Sequence, residues 1–202
     1  MIKTMIFDLG GVILTNDWSR DYYEFLKEFS HAFSVTVDNL HRGWKAHYPF
    51  FDGKITEEEF WNIFLKKSGA REIDTEKAKV IWRKHQKSLE NMFSLLKKLK
   101  KKHRLAVLTN LSKEWTDFKR ERFRLDEYFD LIISSGYIGV AKPHHKIYEL
   151  ILKKLENEPR ECLFIDDREK NLLPARELGM KIILFTGQEE LERKLREIGA
   201  KF

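Results

Sequence analysis

Polar residues capable of chemistry follow directly on apolar runs at several points along the chain. Each of them stands where a predicted buried strand ends: Asp8, Thr109, Asn110, Asp166 and Asp167. Ligands of an open parallel sheet bind beyond the carboxyl ends of its strands, so we expect these side chains to converge on one edge. Lys142 lies in a loop that enters a predicted helix and is expected to join them.

The chemistry that this set favours is phosphoryl transfer. Three carboxylates in one crevice repel each other unless a cation lies among them, and hard oxygen ligands suit Mg²⁺. Lys142 would add positive charge, and Thr109 with nearby backbone N–H groups would donate hydrogen bonds to a phosphate. A carboxylate can attack phosphorus once that charge is neutralised. The sequence therefore predicts a magnesium site built for such an attack.

The elements that must position these residues alternate in type. Ile2 to Phe7 is β-prone and ends at a sharp turn, where Gly10 and Gly11 would permit positive φ and a close approach of backbone to ligand. Further on, predicted strands and helices follow one another: strands 105–108, 131–133, 163–165 and 181–185, and helices 112–123, 143–155, 170–178 and one through Leu195. This alternation predicts an α/β fold, a Rossmann-like parallel sheet with helices on both faces.

An all-helical insert interrupts this pattern after the first strand. Helical spacing runs from Ser19, a candidate cap, to about His85, with a capping box at Thr56 and Glu59 and another cap at Asp74. Ser88 is predicted to begin the helix that follows. We therefore expect residues 1–14 and 88–202 to form an α/β core domain and residues 15–87 a helical cap.

The insert is rich in aromatic residues. It holds four of the five tryptophans, Trp18, Trp44, Trp61 and Trp82, which predicts an aromatic core or pocket lining of its own. A break between its helices carries further rings that either line the substrate pocket or pack the cap: His47, Tyr48, Phe50 and Phe51.

The amino-acid composition limits the classes of partner that we expect for this protein. The net charge is +6, but basic and acidic residues alternate along helical faces, which argues against a nucleic-acid partner. A single cysteine, Cys162, excludes a disulfide framework within the chain, and its apolar surroundings favour a buried thiol. The N-terminus lacks the pattern of a signal peptide, and no apolar run is long enough for a membrane span. We expect a cytoplasmic protein, monomeric or a small homo-oligomer, with no membrane partner.

The ordered set of polar residues resembles the motifs of the haloacid dehalogenase superfamily of phosphohydrolases, across essentially the whole chain. Phe-Asp-Leu-Gly-Gly-Val is similar to the first motif, which implies that Asp8 is the nucleophile and becomes an aspartyl-phosphate. Thr109-Asn110 is similar to the second motif, which implies that Thr109 holds phosphate. Lys142, in Gly-Val-Ala-Lys-Pro, is similar to the third motif.

Phe-Ile-Asp-Asp-Arg-Glu-Lys-Asn is similar to the fourth motif. The resemblance implies that Asp167 binds Mg²⁺ directly, that Asp166 supports it and that Asn171 lies close by. Metal contacts are then expected from Asp8, the Gly10 carbonyl, Asp166 and Asp167. Substrate contacts are expected from Gly10, Gly11, Asn110 and Asn171.

The helical insert resembles the small C1 cap of the superfamily's first subclass, and the segment from Asp52 to Phe60 is similar to part of it. Within this subclass the motifs are most similar to bacterial sugar-phosphate phosphatases that act on glucose 1-phosphate. They are also similar to the N-terminal phosphatase domain of soluble epoxide hydrolases. The resemblance implies a magnesium-dependent phosphatase of a small phosphorylated metabolite, possessing an aspartyl-phosphate intermediate.

Gly10 departs from the family's pattern, which has a second Asp at this position. That Asp protonates the leaving group and then activates water, and losing such a catalyst costs ~10²–10⁴-fold in rate. The sugar-phosphate phosphatases share the glycine, and its carbonyl can still bind a metal. The departure leaves two alternatives open: a haloacid dehalogenase, whose halide leaves without a proton, and a phosphate-binding module with little turnover.

Overall fold

The computed structural model describes residues 2–15, 20–89 and 91–202, with side chains undescribed for residues 20–22. The predicted cap at Ser19 and the place of Trp18 lie outside the described residues. Among the residues described, no helix has both the length and the apolar character needed to cross a bilayer.

A parallel sheet forms the centre of the fold. Five described strands lie in the order β3-β2-β1-β4-β5: β1 Thr4–Phe7, β2 Arg104–Thr109, β3 Leu131–Ser134, β4 Cys162–Asp166 and β5 Lys181–Leu184. β1 is central, and Phe7 at its end pairs with Val107 of β2 and Ile165 of β4. The carboxyl ends of these three strands therefore meet at one edge, as the sequence predicted.

The first strand is followed by the helical insert. Between residues 20 and 84 the described chain forms five helices: α1 Arg20–Phe33, α2 Val37–Trp44, α3 His47–Phe51, α4 Glu57–Lys67 and α5 Thr75–Lys84. The predicted capping signals are confirmed. Thr56 and Glu59 form a capping box at the start of α4, and Asp74 accepts a hydrogen bond from the Lys77 N–H at the start of α5.

The helices of the α/β body cover the sheet. They are α6 Met92–Lys100, α7 Lys113–Phe123, α8 Ser135–Ile138, α9 His145–Leu155, α10 Glu169–Glu177 and α11 Gln188–Glu197, with short 3₁₀ turns at Leu125–Glu127 and Pro159–Glu161. Alternate strand residues face opposite sides: Phe7 packs with α6 and α11, whereas Ile6 and buried Cys162 pack with α9 and α10. The predicted Rossmann-like α/β fold with helices on both faces is confirmed.

One local prediction is wrong, and one short helix was not predicted. Ser88 does not begin a helix; it forms an antiparallel bridge with Leu14, and α6 starts only at Met92. The one-turn helix α8 was not expected, because four residues carry too little periodicity to indicate a helix.

The segments that lead into and out of the insert pair with each other. The Thr15 N–H donates to the Lys87 carbonyl at 2.9 Å, and the Leu89 N–H donates to the Ile13 carbonyl at 2.9 Å. Ser88 takes part in this pairing through its bridge with Leu14, so it does not start a helix. We propose on this basis that residues 15–87 form a cap joined to the core formed by 1–14 and 88–202.

The aromatic core of the insert extends into the α/β body. Trp115 of α7 stacks on Trp82 of α5 with ring centroids 3.8 Å apart, and it also contacts Trp44, Phe50 and Phe60. Aromatic pairs of this kind stabilise by ~0.5–1.5 kcal/mol each beyond their buried area. The insert therefore shares its core with α7 of the body.

A buried carboxylate anchors this shared core. Glu57 is 6% exposed, and its Oε1 accepts hydrogen bonds from the indole N–H of Trp115 at 2.9 Å and of Trp61 at 3.3 Å. Its Oε2 accepts from Arg83 at 3.0 Å. One side chain thus fixes α4, α5 and α7 relative to one another.

Removing this anchor should destabilise the fold. We expect Glu57→Ala to lower the free energy of unfolding by about 2–4 kcal/mol, because two buried indole N–H groups lose their acceptor. Urea unfolding followed by tryptophan fluorescence measures the change. The exposed neighbour provides a control, since Glu58→Ala should change stability by less than about 0.5 kcal/mol. Equal effects of the two substitutions would contradict this role of Glu57.

Candidate active site

Asp8 stands at the end of the central strand. Its N–H donates to the Ile165 carbonyl at 2.8 Å, which continues the pairing of β1 with β4 up to this residue. One carboxylate oxygen, Oδ1, accepts from the Leu9 N–H at 2.7 Å. The residue is 8% exposed and lines a cavity, so its carboxylate is held in place but open to a ligand.

Lys142 joins two of the acidic strand ends. Its Nζ lies 3.0 Å from Asp8 Oδ1 and 2.6 Å from Asp166 Oδ2, and its side chain is 1% exposed. The predicted convergence of Lys142 with the strand-end carboxylates is therefore observed.

Asn110 holds the loop that carries Lys142. Its amide Nδ2 donates to the Lys142 carbonyl at 2.8 Å, and its Oδ1 accepts from the Lys142 N–H at 2.7 Å. Asn110 was expected to contact substrate. It does line the cavity, but both ends of its side-chain amide are occupied by the Lys142 backbone. The geometry gives it a positioning role.

Asn171 has a similar role on the other side. Its Nδ2 lies 2.9 Å and 3.1 Å from the two carboxylate oxygens of Asp166, and the Arg168 N–H donates to Asp166 Oδ1 at 2.9 Å. Asp166 is fully buried. Asn171 therefore orients Asp166 while it also lines the cavity.

The three acidic residues form a compact oxygen cluster. One carboxylate oxygen from each of Asp8, Asp166 and Asp167 lies within 4.8 Å of the others. With all groups ionised, three carboxylates lie close together around the ammonium group of Lys142, and the positive charge of Arg168 also acts on Asp167. Hard oxygens with this charge fit a divalent cation such as Mg²⁺.

The pKa values of the groups in this cluster are shifted by burial and by the charges of their neighbours. Burial raises the pKa of Asp8 to about 6; Lys142 opposes the rise and Asp166 adds to it. Burial, then the charge of Asp166, raises the pKa of Asp167. Burial alone would lower the pKa of Lys142, but Asp8 and Asp166 outweigh it and raise that pKa. A bound cation would relieve the repulsion among the carboxylates.

The two glycines after Asp8 behave differently. Gly11 adopts φ of +81°, as predicted, and its N–H donates to the Leu14 carbonyl at 2.8 Å inside the turn. Gly10 does not use the positive φ that a glycine permits, and it lines the cavity. A Cβ built on Gly10 would meet no atom within 4 Å. Space for a side chain therefore exists where the family's second Asp would stand.

The cavity above these residues has a volume of about 300 Å³. Thr109, 3% exposed at the end of β2, lies at its base with Asp8 and Lys142. Aromatic rings of the insert and of α7 form much of its wall: Phe25, Trp44, His47, Tyr48, Phe51, Trp82 and Trp115.

The structure shows which rings at the break between the insert helices line the cavity and which pack inside the insert. It also shows lining residues that were not predicted from the sequence. Phe50 packs the cap, stacked on Phe60 at 4.8 Å, whereas His47, Tyr48 and Phe51 line the cavity. Among the lining residues that were missed are five from the segments flanking the insert and from α7: Thr15, His85, Gln86, Trp115 and Lys119. No sequence signal marked them, because their place depends on how insert and body pack together.

Comparison with known proteins is decisive at the level of the family. Residues 2–179 match the family described as haloacid dehalogenase-like hydrolases. The chain belongs to this family. The membership predicted from the four motifs is thereby confirmed.

Among relatives, the chain is 27% identical over 188 residues to D-ribitol-5-phosphate phosphatase of Bacteroides thetaiotaomicron, covering 90% of each chain. It is 28% identical over 220 residues to bifunctional epoxide hydrolase 2 of Sus scrofa, covering 98% of this chain but 39% of that protein. It spans 37% of another relative, drimenol cyclase drtB of Aspergillus calidoustus. These longer relatives thus contain sequence with no counterpart here.

A solved structure has the same fold. A haloacid dehalogenase family enzyme of Bacteroides thetaiotaomicron, in complex with magnesium and inorganic phosphate, superposes with a TM-score of 0.78 at 24% identity. The match covers 93% of this chain and 96% of that one. The insert and the α/β body are both included at this coverage.

The ion pairs of Lys142 should control stability as well as chemistry. We expect Lys142→Met to lower the free energy of unfolding by about 3–5 kcal/mol at neutral pH, because Asp8 and Asp166 lose their shared cation. The loss should shrink as the pH falls towards about 5. The folded-state pKa of Asp8, already about 6 and higher still without Lys142, lets the folded protein take up a proton that the unfolded chain does not yet bind.

Urea unfolding at neutral and acidic pH measures both effects. Lys146→Met, at an exposed lysine of α9, is the control and should change stability by less than about 0.5 kcal/mol. A Lys142→Met variant as stable as the wild type at neutral pH, or with a loss that grows on acidification, would contradict the assignment.

Proposed function

We propose that this protein is a magnesium-dependent phosphatase that hydrolyses a small phosphate monoester, such as a sugar phosphate, through an aspartyl-phosphate on Asp8. The observation that carries the proposal is the arrangement of Asp8: a buried carboxylate at the base of a cavity, beside Lys142 and two further carboxylates. The D-ribitol-5-phosphate phosphatase relative, matched over 90% of both chains, supports a substrate of this class.

The roles of the residues follow from their contacts. Within the described residues the contacts of the Asp8 carboxylate fall on Oδ1, so Oδ2 is available to attack, and Lys142 and Thr109 line the same cavity to bind the phosphate oxygens. Asp8, Asp166, Asp167 and the Gly10 carbonyl would hold Mg²⁺, which supplies charge neutralisation for the transferred phosphoryl group. Asn110 and Asn171 keep Lys142 and Asp166 in place.

The reaction has two stages on this chain. First, a carboxylate oxygen of Asp8 attacks phosphorus, the bond to the leaving oxygen breaks and the alcohol departs with a proton. Water then attacks the phosphorus of the aspartyl-phosphate, so that inorganic phosphate leaves and Asp8 is regenerated. Lys142, 3.0 Å from Asp8, reduces the repulsion between an anionic nucleophile and an anionic ester in the first stage.

The two alternatives are less well supported. A dehalogenase needs the nucleophile but no metal, so the oxygen cluster of Asp8, Asp166 and Asp167 would have no purpose there. A phosphate-binding module with little turnover rests on the glycine at position 10 alone. The cytoplasmic location and the monomeric or small oligomeric state stay predictions from sequence.

Phosphate release from a panel of small phosphate esters tests the proposal. We expect turnover with Mg²⁺, none with a chelator, and a loss of roughly 10⁴-fold or more in Asp8→Asn, because the nucleophile is removed without a change of shape. Asp126→Asn, at an exposed residue outside the cavity, should keep wild-type activity. Metal-independent release of halide from a haloacid would favour the dehalogenase. Binding of Mg²⁺ and phosphate without turnover of any ester would favour the binding module.

A further inference from the structure

The proposed reaction leaves one proton unassigned. When the ester bond breaks, the departing oxygen must gain a proton, and water must later lose one. Gly10 carries no group for either transfer, although a side chain would fit there. Another titratable side chain of the cavity wall could carry this proton.

The segments that lead into and out of the insert, residues 13–15 and 87–89, pair with each other and connect the end of the insert to the loop of Gly10. Gly10 forms a parallel bridge with Leu14, and Leu14 forms an antiparallel bridge with Ser88. His85 lies three residues before Ser88, directly after α5, and lines the same cavity as Asp8 and Gly10. A histidine thus lies in the turn between α5 and the segment that pairs with the loop after Asp8.

His85 is held in the manner of an oriented acid–base group. Its Nε2 lies 2.8 Å from Glu28 Oε2, and the Glu28 carboxylate is itself held by Lys84 at 2.8 Å. Hydrogen bonds from Lys84 and His85 lower the pKa of Glu28, so this carboxylate is a stable anionic partner. Within the described residues no hydrogen bond engages His85 Nδ1, and the side chain is 13% exposed. One ring nitrogen is fixed while the other is available to exchange a proton.

Two other titratable groups of the insert that line the cavity, His47 and Asp52, are less suited. His47 Nδ1 already bonds the Trp44 carbonyl at 2.7 Å, and the ring stacks among Trp44, Tyr48 and Phe51. Asp52 is paired with Lys54 at 3.0 Å. Both groups are therefore already engaged by other residues of the insert.

We propose that His85, oriented by Glu28, is the general acid and base of the phosphatase reaction. The inference rests on the proposed function. As the bond between phosphorus and the leaving oxygen breaks, that oxygen takes the proton from Nδ1 of the imidazolium. The neutral imidazole then takes a proton from the water that attacks the aspartyl-phosphate. The net reaction is ester plus water to alcohol plus inorganic phosphate, and His85 ends in its starting state.

Leaving-group dependence gives a readout that a structural role would not move. For kcat/KM, which reports the transfer to Asp8, His85→Gln should lower the hydrolysis of alkyl phosphates by about 10²–10⁴-fold, because an alkoxide leaves poorly without a proton. Hydrolysis of 4-nitrophenyl phosphate, whose phenolate leaves without help, should fall by less than about tenfold. Equal losses for both esters, or no loss for either, would overturn the proposal.

Two further variants sharpen the test. Glu28→Gln should show the same pattern in weaker form, since it loosens the orientation of His85 but keeps the ring. The matched control is His145→Gln, because His145 forms a similar pair with Glu177 at 3.0 Å but lies outside the cavity; its activity should be unchanged. A loss in His145→Gln like that of His85→Gln would count against a specific role.

A rescue variant guards against misfolding of His85→Gln. Gly10→Asp in the same chain places a carboxyl in open space on the cavity wall, so it should restore the hydrolysis of alkyl phosphates but hardly change that of 4-nitrophenyl phosphate. Failure of this rescue in a folded, metal-binding double variant would overturn the inference. If the wild type released no phosphate from either ester, the proposed function would fail first, which distinguishes the two outcomes.

Discussion

Two carboxylates approach each other at the centre of this molecule because a lysine lies between them. Lys142 is almost fully buried and reaches Asp8 at 3.0 Å and Asp166 at 2.6 Å. Burying three ionised groups together costs far more than burying apolar side chains, unless each charge has close partners. The surrounding structure is built to satisfy that condition: Asn110 fixes the backbone of Lys142, and Asn171 fixes the carboxylate of Asp166.

The need to hold these buried charges close to their partners explains why the sheet and the insert contribute different parts of the site. Strand ends place Asp8, Thr109 and Asp166 with the regularity of parallel pairing, so the base of the site is rigid. The insert supplies aromatic walls, and its contact with the body is fixed by Glu57 and Trp115. Because the insert begins and ends in two strand segments that pair with each other, its last residues return to the loop after Asp8. His85, just after the last helix of the insert, thereby lines the same cavity as Asp8.

The base of the site could be predicted from sequence, because apolar strands followed by Asp, Thr or Asp-Asp indicate both a parallel sheet and the edge where its ligands bind. The helix caps at Thr56 and Asp74 depend only on neighbouring residues, so they could also be predicted from the sequence. The positioning roles of Asn110 and Asn171 could not be predicted, since they depend on which backbone and side-chain groups face them. The helix start predicted at Ser88 was wrong for the same reason. A long-range bridge to Leu14 overrides the local preference of this serine to cap a helix. The place of Glu57 and His85 depends on tertiary packing alone.

The covalent bond between the phosphoryl group and Asp8 is the step on which the proposed function depends. Its most direct test is rapid acid quenching of the enzyme during turnover with Mg²⁺ and an ester substrate, followed by mass spectrometry of the peptide that contains Asp8. The proposed covalent bond predicts that this peptide gains the mass of one phosphoryl group at Asp8 and that the added mass is lost on treatment with hydroxylamine, as for an acyl phosphate. Turnover without any labelled Asp8 peptide, or with the phosphoryl group on another residue, would contradict it.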